Sequence, residues 1–175
     1  REVEGWDKRD FDDGSWTSVI SKSIGNRIMA AQLVHIKPVE EITPIRETYL
    51  NGKYIFDLGR NISGRPVIKI KGKKGSMVEM HFGEKLYEDG NVDSRSTRND
   101  WTCRYILKGE GMEDWRPTFS ISGFRYISVS CSDTPLTAID IKAEFVTSAV
   151  KRKGWFESSS DKLNKIHNMY LLSQR

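Results

Sequence analysis

Short segments in which apolar and polar residues alternate, separated by turn-forming residues, follow one another along most of this chain. In TAIDIKAEF at 137–145 the charged residues stand between the members of one apolar face, which are Ile139, Ile141, Ala143 and Phe145. A period of two predicts β-strands that bury one face. Asn51-Gly52, between two such segments, is a strong hairpin signal. The pattern therefore favours a mainly β fold.

Roughly eight short strands with turn signals at regular intervals predict an antiparallel β-sandwich or jelly roll. No helical period interrupts them, which disfavours a parallel sheet built from alternating strands and helices. The first segment is predicted to end before Pro38, because proline lacks a backbone donor. The predicted strands are 31–37, 44–50, 53–59, 65–72, 76–86, 101–109, 113–120, 123–131 and 136–148.

The hydrophobic period changes in the last segment, SSSDKLNKIHNMYLLSQR at 158–175. Ser158 and Asp161 fit a capping box at the start of a helix. The apolar residues that recur at helical spacing are Leu163, Ile166, Tyr170 and Leu171. Because no helix stop signal follows, we expect the sequence to be a piece of a longer protein that continues into a helical domain.

Composition excludes several classes of protein. Hydrophobic residues make up 37%, which is too apolar for disorder, and no apolar stretch is long enough to span a membrane. The net charge of +4 includes one cationic segment at 69–74, whose lysines alternate with isoleucines and lack interleaved aromatic residues. That pattern favours a solvated strand face over a nucleic-acid site. Cys103 and Cys131 do not have the spacing of metal ligands and are expected to be buried thiols. A disulfide between them is the alternative that the sequence leaves undecided.

Catalytic motifs are absent from the sequence. Most acidic residues alternate with buried positions and should point to solvent, and the best-placed exceptions are Asp57 and Glu84 near strand ends. A glycosidase needs two carboxylates facing one cleft. The histidines lie far apart along the chain and accompany no nucleophile. We therefore assign no catalytic residue.

Two local sequence patterns bear on metal and sugar binding. Asp89, Asn91 and Asp93 alternate around a glycine, but the following positions do not match a calcium loop, so the segment is interpreted as a turn. We expect no cofactor and keep calcium as the lesser alternative. Trp101 and Trp115 flank loops, where aromatic rings serve lectin-like sandwiches as sugar platforms. Aromatic residues in such strands more often pack in the core.

Five segments, in this order, together resemble the bacterial α-L-rhamnosidases of glycoside hydrolase family 78. They are YIFDLGRNISG at 54–64, HFGEKLYEDG at 81–90, YILKGEG at 105–111, WRPTFSISGFRYISV at 115–129 and GWFESSSDKLNKIHNMYLLSQR at 154–175. The resemblance covers about residues 45–175. It implies a concanavalin-like antiparallel β-sandwich with a C-terminal linker helix that leads to an (α/α)₆ catalytic barrel.

The resemblance also implies a domain layout. Residues 1–22, which contain GWDKRDFDDGSW, resemble the end of a preceding carbohydrate-binding-type β-domain. Residues 23–44 would form a linker and the first strand, and 45–150 the β-sandwich. Residues 151–175 would form the linker strand and helix before the missing barrel.

The family hydrolyses terminal α-L-rhamnose with inversion, using acidic residues of the barrel, so the resemblance transfers no catalytic acid to this chain. At 94–100 the sequence SRSTRND departs from the LRSARATD type of loop, although Arg95 and Arg98 keep its basic character. Gly59, Asn61 and Gly64 are expected to shape a strand-end turn, with Asp57 and Asn61 bonding to local backbone groups.

Two hypotheses about function follow. The first is a non-catalytic accessory domain that packs on the catalytic barrel of the same polypeptide and orients it. The second is a carbohydrate-binding module for rhamnose-containing glycans, whose candidate contact residues are Trp101, Trp115, Arg95, Arg98, Asp57 and Asn61. Neither nucleic acid nor a membrane is expected as a partner. Periplasmic, extracellular and cytoplasmic locations all stay open.

Overall fold

The computed structural model describes residues 3–23, 25, 34–97, 101–132, 138–148 and 150–174. The chain divides into two compact units, Arg1–Leu33 and Val34–Arg175. In the first unit, residues 4–16 contain successive tight turns, such as the one in which the Trp16 N–H donates to the Asp13 carbonyl oxygen at 2.8 Å. The rings of Phe11 and Trp16 pack with their centroids 5.3 Å apart.

The second unit contains the sandwich. Its described elements are β1 (Ile36–Ile42), β2 (Arg46–Leu50), β3 (Lys53–Lys71), β4 (Met77–Gly83), a 3₁₀-helix (Ser94–Thr97), β5 (Thr102–Ile106), β6 (Glu113–Trp115), β7 (Ser122–Cys131), β8 (Ala138–Ser148) and α1 (Asp161–Ser173). The strands pair in the order β1-β8-β3-β7-β4-β5, with β2 and β6 also paired to β3, and every pairing is antiparallel. The mainly β prediction is confirmed.

The long strand β3 belongs to both layers of this curled sheet. Its first half lies between β2 and β7, and its second half, from Gly64 onward, pairs with β8 and β6. The first layer is therefore β2-β3-β7-β4-β5, and the second layer is β6-β3-β8-β1. The two layers enclose one core, formed by buried side chains from both halves of β3, β4, β5, β7 and β8.

The prediction of two separate strands at 53–59 and 65–72 is wrong, because the chain between them stays extended. Gly59 adopts φ +78°, and the register with β7 shifts between Asp57 and Ile62. A positive φ inside a strand is typical of a bulge, which bends the strand and increases its twist. Gly59 and Gly64 were expected at a turn that ends a strand. They lie instead where one continuous strand bends from the first layer into the second.

Other local predictions also differ from the structure, and β6 ends at Trp115 instead of continuing to Ser120. β1 runs through Pro38 instead of ending before it, which an edge strand permits, and its register shifts between Pro38 and Glu40. In α1 the N-cap is Ser160, without a side-chain cap bond, so the capping box of Ser158 and Asp161 does not form. The Ser158 N–H instead donates to Asn164 Oδ1 at 2.9 Å.

One seam between the layers is closed by stacked aromatic rings. Tyr105 on β5 and Trp115 on β6 have ring centroids 5.3 Å apart. Beside them the buried Glu113 carboxylate accepts hydrogen bonds from the Tyr105 hydroxyl at 2.8 Å and from the backbone N–H groups of Lys108 and Gly109 at 2.9 and 2.8 Å. These contacts tie the end of β5 to β6 and so join the two layers.

The two cysteines are free thiols, and Cys103 is buried as predicted, whereas Cys131 is only half-buried. Cys103 on β5 and Cys131 on β7 pair with Met80 and Val78 on the two sides of β4. One whole strand therefore separates them, about 10 Å at the usual strand spacing, which is too far for a disulfide. Burial raises the pKa of Cys103 to about 11.

The helix α1 buries none of its residues. No described helix is long and apolar enough to cross a lipid bilayer.

Candidate functional site

Several candidate residues lie at the end of the first layer where β4 finishes and β7 begins. Asp57 on β3 pairs with Tyr126 on β7, which in turn pairs with Gly83 on β4. Arg125 Nε and Nη2 donate to the two carboxylate oxygens of Asp57 at 2.8 and 2.9 Å, and the Gly59 N–H donates to Oδ1 at 2.7 Å. The predicted local backbone bond of Asp57 is confirmed, and Arg125 is the partner that sequence reasoning missed.

This pairing decides what Asp57 can do chemically. The hydrogen bonds from Arg125 hold the pKa of Asp57 below its usual value, although burial opposes them. A glycosidase general acid needs the opposite shift, because it must be protonated at working pH. Asp57 is therefore an ionised structural partner of Arg125 and is unsuited to the role of acid catalyst.

A second polar group lies on β4 and β5. Arg104 Nε and the His81 ring lie 2.8 and 3.3 Å from the Glu79 carboxylate, and the Thr102 hydroxyl is 3.3 Å from His81 Nδ1. Burial works to raise the pKa of Glu79, but the hydrogen bonds from Arg104 and His81 outweigh it and leave the pKa below its usual value. This group, like Asp57, holds a carboxylate in its charged form.

The 84–97 loop covers the outer face of the first layer. A Cβ on Gly83 would meet the Asp93 carbonyl oxygen at 2.6 Å, and one on Gly90 would meet Leu50 Cδ2 at 3.2 Å. The loop therefore extends from β4 to the β2–β3 hairpin. On the face that it crosses, Ile55 and Ser128 are only 5% and 4% exposed. The loop is thus a packed part of the domain.

The loop is held by its own polar side chains. The Asp89 carboxylate accepts from the Asn91 N–H at 2.9 Å, as in the predicted turn. A hydrogen bond from the Tyr87 hydroxyl lowers the pKa of Asp93. Among the described residues, no three His, Cys, Asp or Glu side chains come close enough together to hold a metal ion.

Of the two arginines predicted to contact a ligand from this segment, the structure describes only one. Arg95 lies in the 3₁₀-helix, with its guanidinium 5.1 Å from the centre of the Tyr87 ring and its Nε 3.6 Å from Asp93 Oδ1. Its side chain is 80% exposed, so it is available to a ligand. Arg98 lies outside the described residues.

The two tryptophans and Asn61 occupy three separate places. Trp101 packs on Phe82, with centroids 4.5 Å apart, at the end of the first layer. Trp115 stacks on Tyr105 at the seam with β6. Both rings are half-buried and lie against the core. Asn61 is exposed in the bulge of β3. The structure therefore does not gather the five described candidates into one site, and contact of the candidates with sugar stays a prediction.

Sequence reasoning also missed a pocket between the two layers, at the edge opposite the stacked rings of Tyr105 and Trp115. The corner between β1 and β2 faces the start of β8 across a cavity of about 220 Å³. Its lining residues are Thr43, Pro44, Ile45, Arg46, Glu47, Phe56, Ile139, Asp140 and Ile141. They come from three distant stretches of chain, so no local motif signals the pocket.

A family model described as the bacterial alpha-L-rhamnosidase concanavalin-like domain matches residues 47–147. Alpha-L-rhamnosidases from Formosa agariphila and Alteromonas sp. are 33% and 29% identical to this chain over 96% and 94% of its length. The chain spans only 18% of each of these relatives.

Two solved structures share the fold over 99% of the chain with a TM-score of 0.85. One is the alpha-L-rhamnosidase from Dictyoglumus thermophilum, 31% identical, of which the chain covers 20%. The other is the Streptomyces avermitilis alpha-L-rhamnosidase complexed with L-rhamnose, 28% identical, of which it covers 17%. The resemblance found from five sequence segments is confirmed, and this chain belongs to the family of bacterial alpha-L-rhamnosidase concanavalin-like domains.

Proposed function

We propose that this chain is an accessory β-sandwich domain of a larger α-L-rhamnosidase, and that it packs on and orients the catalytic domain without supplying catalytic acids. The observation that carries the proposal is that the chain matches whole α-L-rhamnosidases over only 18% of their length. The pairing of the Asp57 and Glu79 carboxylates with Arg125 and Arg104 supports the non-catalytic part, because these oxygens are already used in hydrogen bonds within the domain.

The exposed apolar surface of α1 supports the packing part. Leu163 and Ile166 are each 51% exposed and Tyr170 is 59% exposed, all along one stripe of the helix. Trp155, just before the helix, is 79% exposed. An isolated helix of 13 residues is marginally stable in water and gains most of its stability by burying such a stripe. A second protein surface is therefore the natural partner of α1.

The non-catalytic part is tested with the purified chain and an aryl α-L-rhamnoside. We expect no release of the aryl group, while the Streptomyces avermitilis α-L-rhamnosidase serves as the positive control. Turnover by this chain at a rate near that of the control enzyme would contradict the proposal.

The packing part is tested in the longer polypeptide that contains this chain. Leu163→Asp with Ile166→Asp should lower its thermal midpoint and its resistance to protease, because charge would enter a buried interface. The matched control is Lys162→Asp with Lys165→Asp, which introduces the same two aspartates on the polar face of α1. Equal effects of the two double variants would count against docking through the stripe.

Carbohydrate recognition is a second candidate function, favoured by the half-exposed Trp101 ring at the strand end that also carries Asp57. In this proposal Trp101, Trp115, Arg95, Arg98, Asp57 and Asn61 contact a rhamnose-containing glycan. A titration with a rhamnosyl oligosaccharide, followed by tryptophan fluorescence with and without calcium, tests it. A saturable change is expected, and a flat response in both conditions favours the accessory role alone.

A further inference from the structure

The loop between β6 and β7, residues 116–121, carries the most exposed aromatic side chain that the structure describes. Phe119 is 99% exposed, and Ile121, two residues further along, is 46% exposed. A phenylalanine ring in water forgoes the free energy that burial of its apolar surface would provide. Neither residue belongs to the core. The loop therefore presents an apolar surface on an element other than α1.

The backbone of this loop is anchored by Arg65 on β3. Arg65 Nη1 donates to the carbonyl oxygens of Pro117 and Thr118 at 3.2 and 3.4 Å, directly before Phe119. Arg65 Nε donates to Glu144 Oε2 on β8 at 2.6 Å, and Glu144 is only 7% exposed. Pro117 is itself buried. A ring that is presented on an anchored backbone loses less conformational entropy on binding than a ring on a mobile loop.

The same ion-pair cluster gives the loop a positive charge. Glu144 Oε1 accepts a hydrogen bond from Arg116 Nη1, so one carboxylate faces two guanidinium groups. The Arg116 side chain is 55% exposed, whereas the side chains of Arg65 and Glu144 are 15% and 10% exposed. The excess positive charge is therefore accessible at Arg116, three residues before Phe119. A surface that complements this loop has an apolar socket with a carboxylate at its rim.

The size of this surface favours another domain of the same polypeptide as its partner. One aromatic ring buries at most about 250 Å², whereas a stable complex of two separate proteins buries about 800 Å² on each side. A domain in the same polypeptide is held at a high effective concentration, so a small contact suffices. The relatives have room for such a domain, because this chain spans only 18% of the Formosa agariphila and Alteromonas sp. α-L-rhamnosidases.

We propose that Phe119 and Arg116 form a docking point for another domain of the same α-L-rhamnosidase polypeptide. The ring occupies an apolar socket of that domain, and the guanidinium pairs with a carboxylate at the rim of the socket. Aromatic and arginine side chains together carry much of the binding energy of protein interfaces. The proposal rests on the proposed accessory role and adds to it an interface outside the stripe of α1.

Photo-cross-linking of the longer polypeptide that contains this chain tests the contact. With Phe119→p-benzoylphenylalanine, illumination should join residue 119 to a peptide outside residues 1–175 of the same polypeptide, and mass spectrometry identifies that peptide. Tyr49→p-benzoylphenylalanine is the matched control, because Tyr49 on β2 is another aromatic residue and is 60% exposed. It should not give this product.

Three results of the cross-linking would overturn the proposal. They are the absence of a product at residue 119, equal yields at residues 119 and 49, and products that join two polypeptides. The last result would identify a second copy of the chain as the occupant of the loop.

Truncation of the ring tests its energetic role. Phe119→Ala should shift the thermal midpoint of this chain alone by less than about 2 °C, because an exposed ring has little contact to lose. In the longer polypeptide the midpoint should fall by about 5 °C, since a buried ring is removed. Met112→Ala is the control, because Met112 is a loop residue that is 55% exposed. Equal shifts for the two variants in the longer polypeptide would contradict the proposal.

Arg116→Gln tests the acidic rim. It should lower the midpoint of the longer polypeptide more than that of this chain alone, since only docking pairs the guanidinium with a second carboxylate. Lys69→Gln is the control, because Lys69 is an exposed cation on the second layer that is paired with Asp114. Its effect should be the same in both polypeptides. An equal effect of Arg116→Gln in both would overturn the assignment of a carboxylate to the socket.

Failure of this interface is distinguishable from failure of the proposed function. Without a contact at Phe119, the longer polypeptide would still respond to Leu163→Asp with Ile166→Asp, because those residues act through α1. Hydrolysis of an aryl α-L-rhamnoside by this chain would refute the non-catalytic role without changing the peptide to which residue 119 is cross-linked.

Discussion

At the scale of single residues, the Asp57–Arg125 pair fixes the point where β3 leaves the first layer. Both carboxylate oxygens and both donating nitrogens are used, and the Gly59 N–H adds a third bond next to the bulge. Bidentate, charge-assisted hydrogen bonds are stronger and more directional than neutral ones. The pair therefore holds a local backbone conformation through a side chain that is 68 residues away in sequence.

The lowered pKa of Asp57 gives its contribution to stability a definite pH dependence. The ionised form is favoured in the folded state, so the stabilisation is present above the unfolded pKa and is lost as the pH falls through the folded pKa. Asp57→Asn should therefore lower the free energy of unfolding by about 1–2 kcal/mol at pH 7. The difference from the unmodified chain should shrink below about pH 4.

Urea unfolding at pH 7 and at pH 3 measures this effect. Asp114→Asn is the control, because the Asp114 carboxylate is exposed and 4.0 Å from its partner Lys69. Exposed pairs of this kind contribute little. An equal loss at both pH values for Asp57→Asn would show that the carboxylate charge is not what stabilises the bulge.

At the scale of elements, β3 depends on close backbone contact as well as on its bulge. A Cβ on Gly64 would lie 2.1 Å from the Glu144 carbonyl oxygen on β8. No side-chain movement relieves such a clash, because the obstacle is backbone. Gly64 therefore permits β3 to pass from β7 to β8 without separating the two layers.

Gly64→Ala should destabilise the chain by about 3 kcal/mol, since the strands must move apart. Gly123 on β7 is the matched control, because it pairs with the neighbouring residue Ser63 and a Cβ there would meet nothing closer than 3.6 Å. Gly123→Ala should change the free energy of unfolding by less than about 1 kcal/mol. Thermal unfolding of both variants measures their losses of stability. Similar losses for the two would rule out the contact with β8 as the cause.

The elements also show how far the sequence can predict this structure. The faces of β4, β5 and β8 follow from alternation, because burial on one side forces a period of two. The continuity of β3 does not follow from the sequence. Gly59 has φ +78° in the structure, but a glycine that ends a strand and a glycine that bends one cannot be distinguished in a sequence. The pairing of Asp57 with Arg125 and the pocket across the β2–β8 seam depend on distant contacts, which no local pattern encodes.

At the scale of the whole molecule, the sandwich and α1 differ in how they are stabilised. The sandwich has a core shared by both layers, whereas α1 buries no residue. Deleting residues 150–175 should therefore shift the thermal midpoint of the sandwich by less than about 2 °C. Circular dichroism near the β-sheet band provides the measurement. A fall of more than about 5 °C would mean that the segment stabilises the sandwich.

Because β3 runs through both layers, neither layer has a complete set of strands of its own. Opening the first layer would remove the hydrogen bonds between β3 and β7, and β3 is also the strand that pairs with β8 in the second layer. Hydrogen exchange at protected amides in the two layers should then report one common opening free energy, as expected for a single cooperative unit. A force that pulls on one layer therefore also acts on the strand that holds the other layer together.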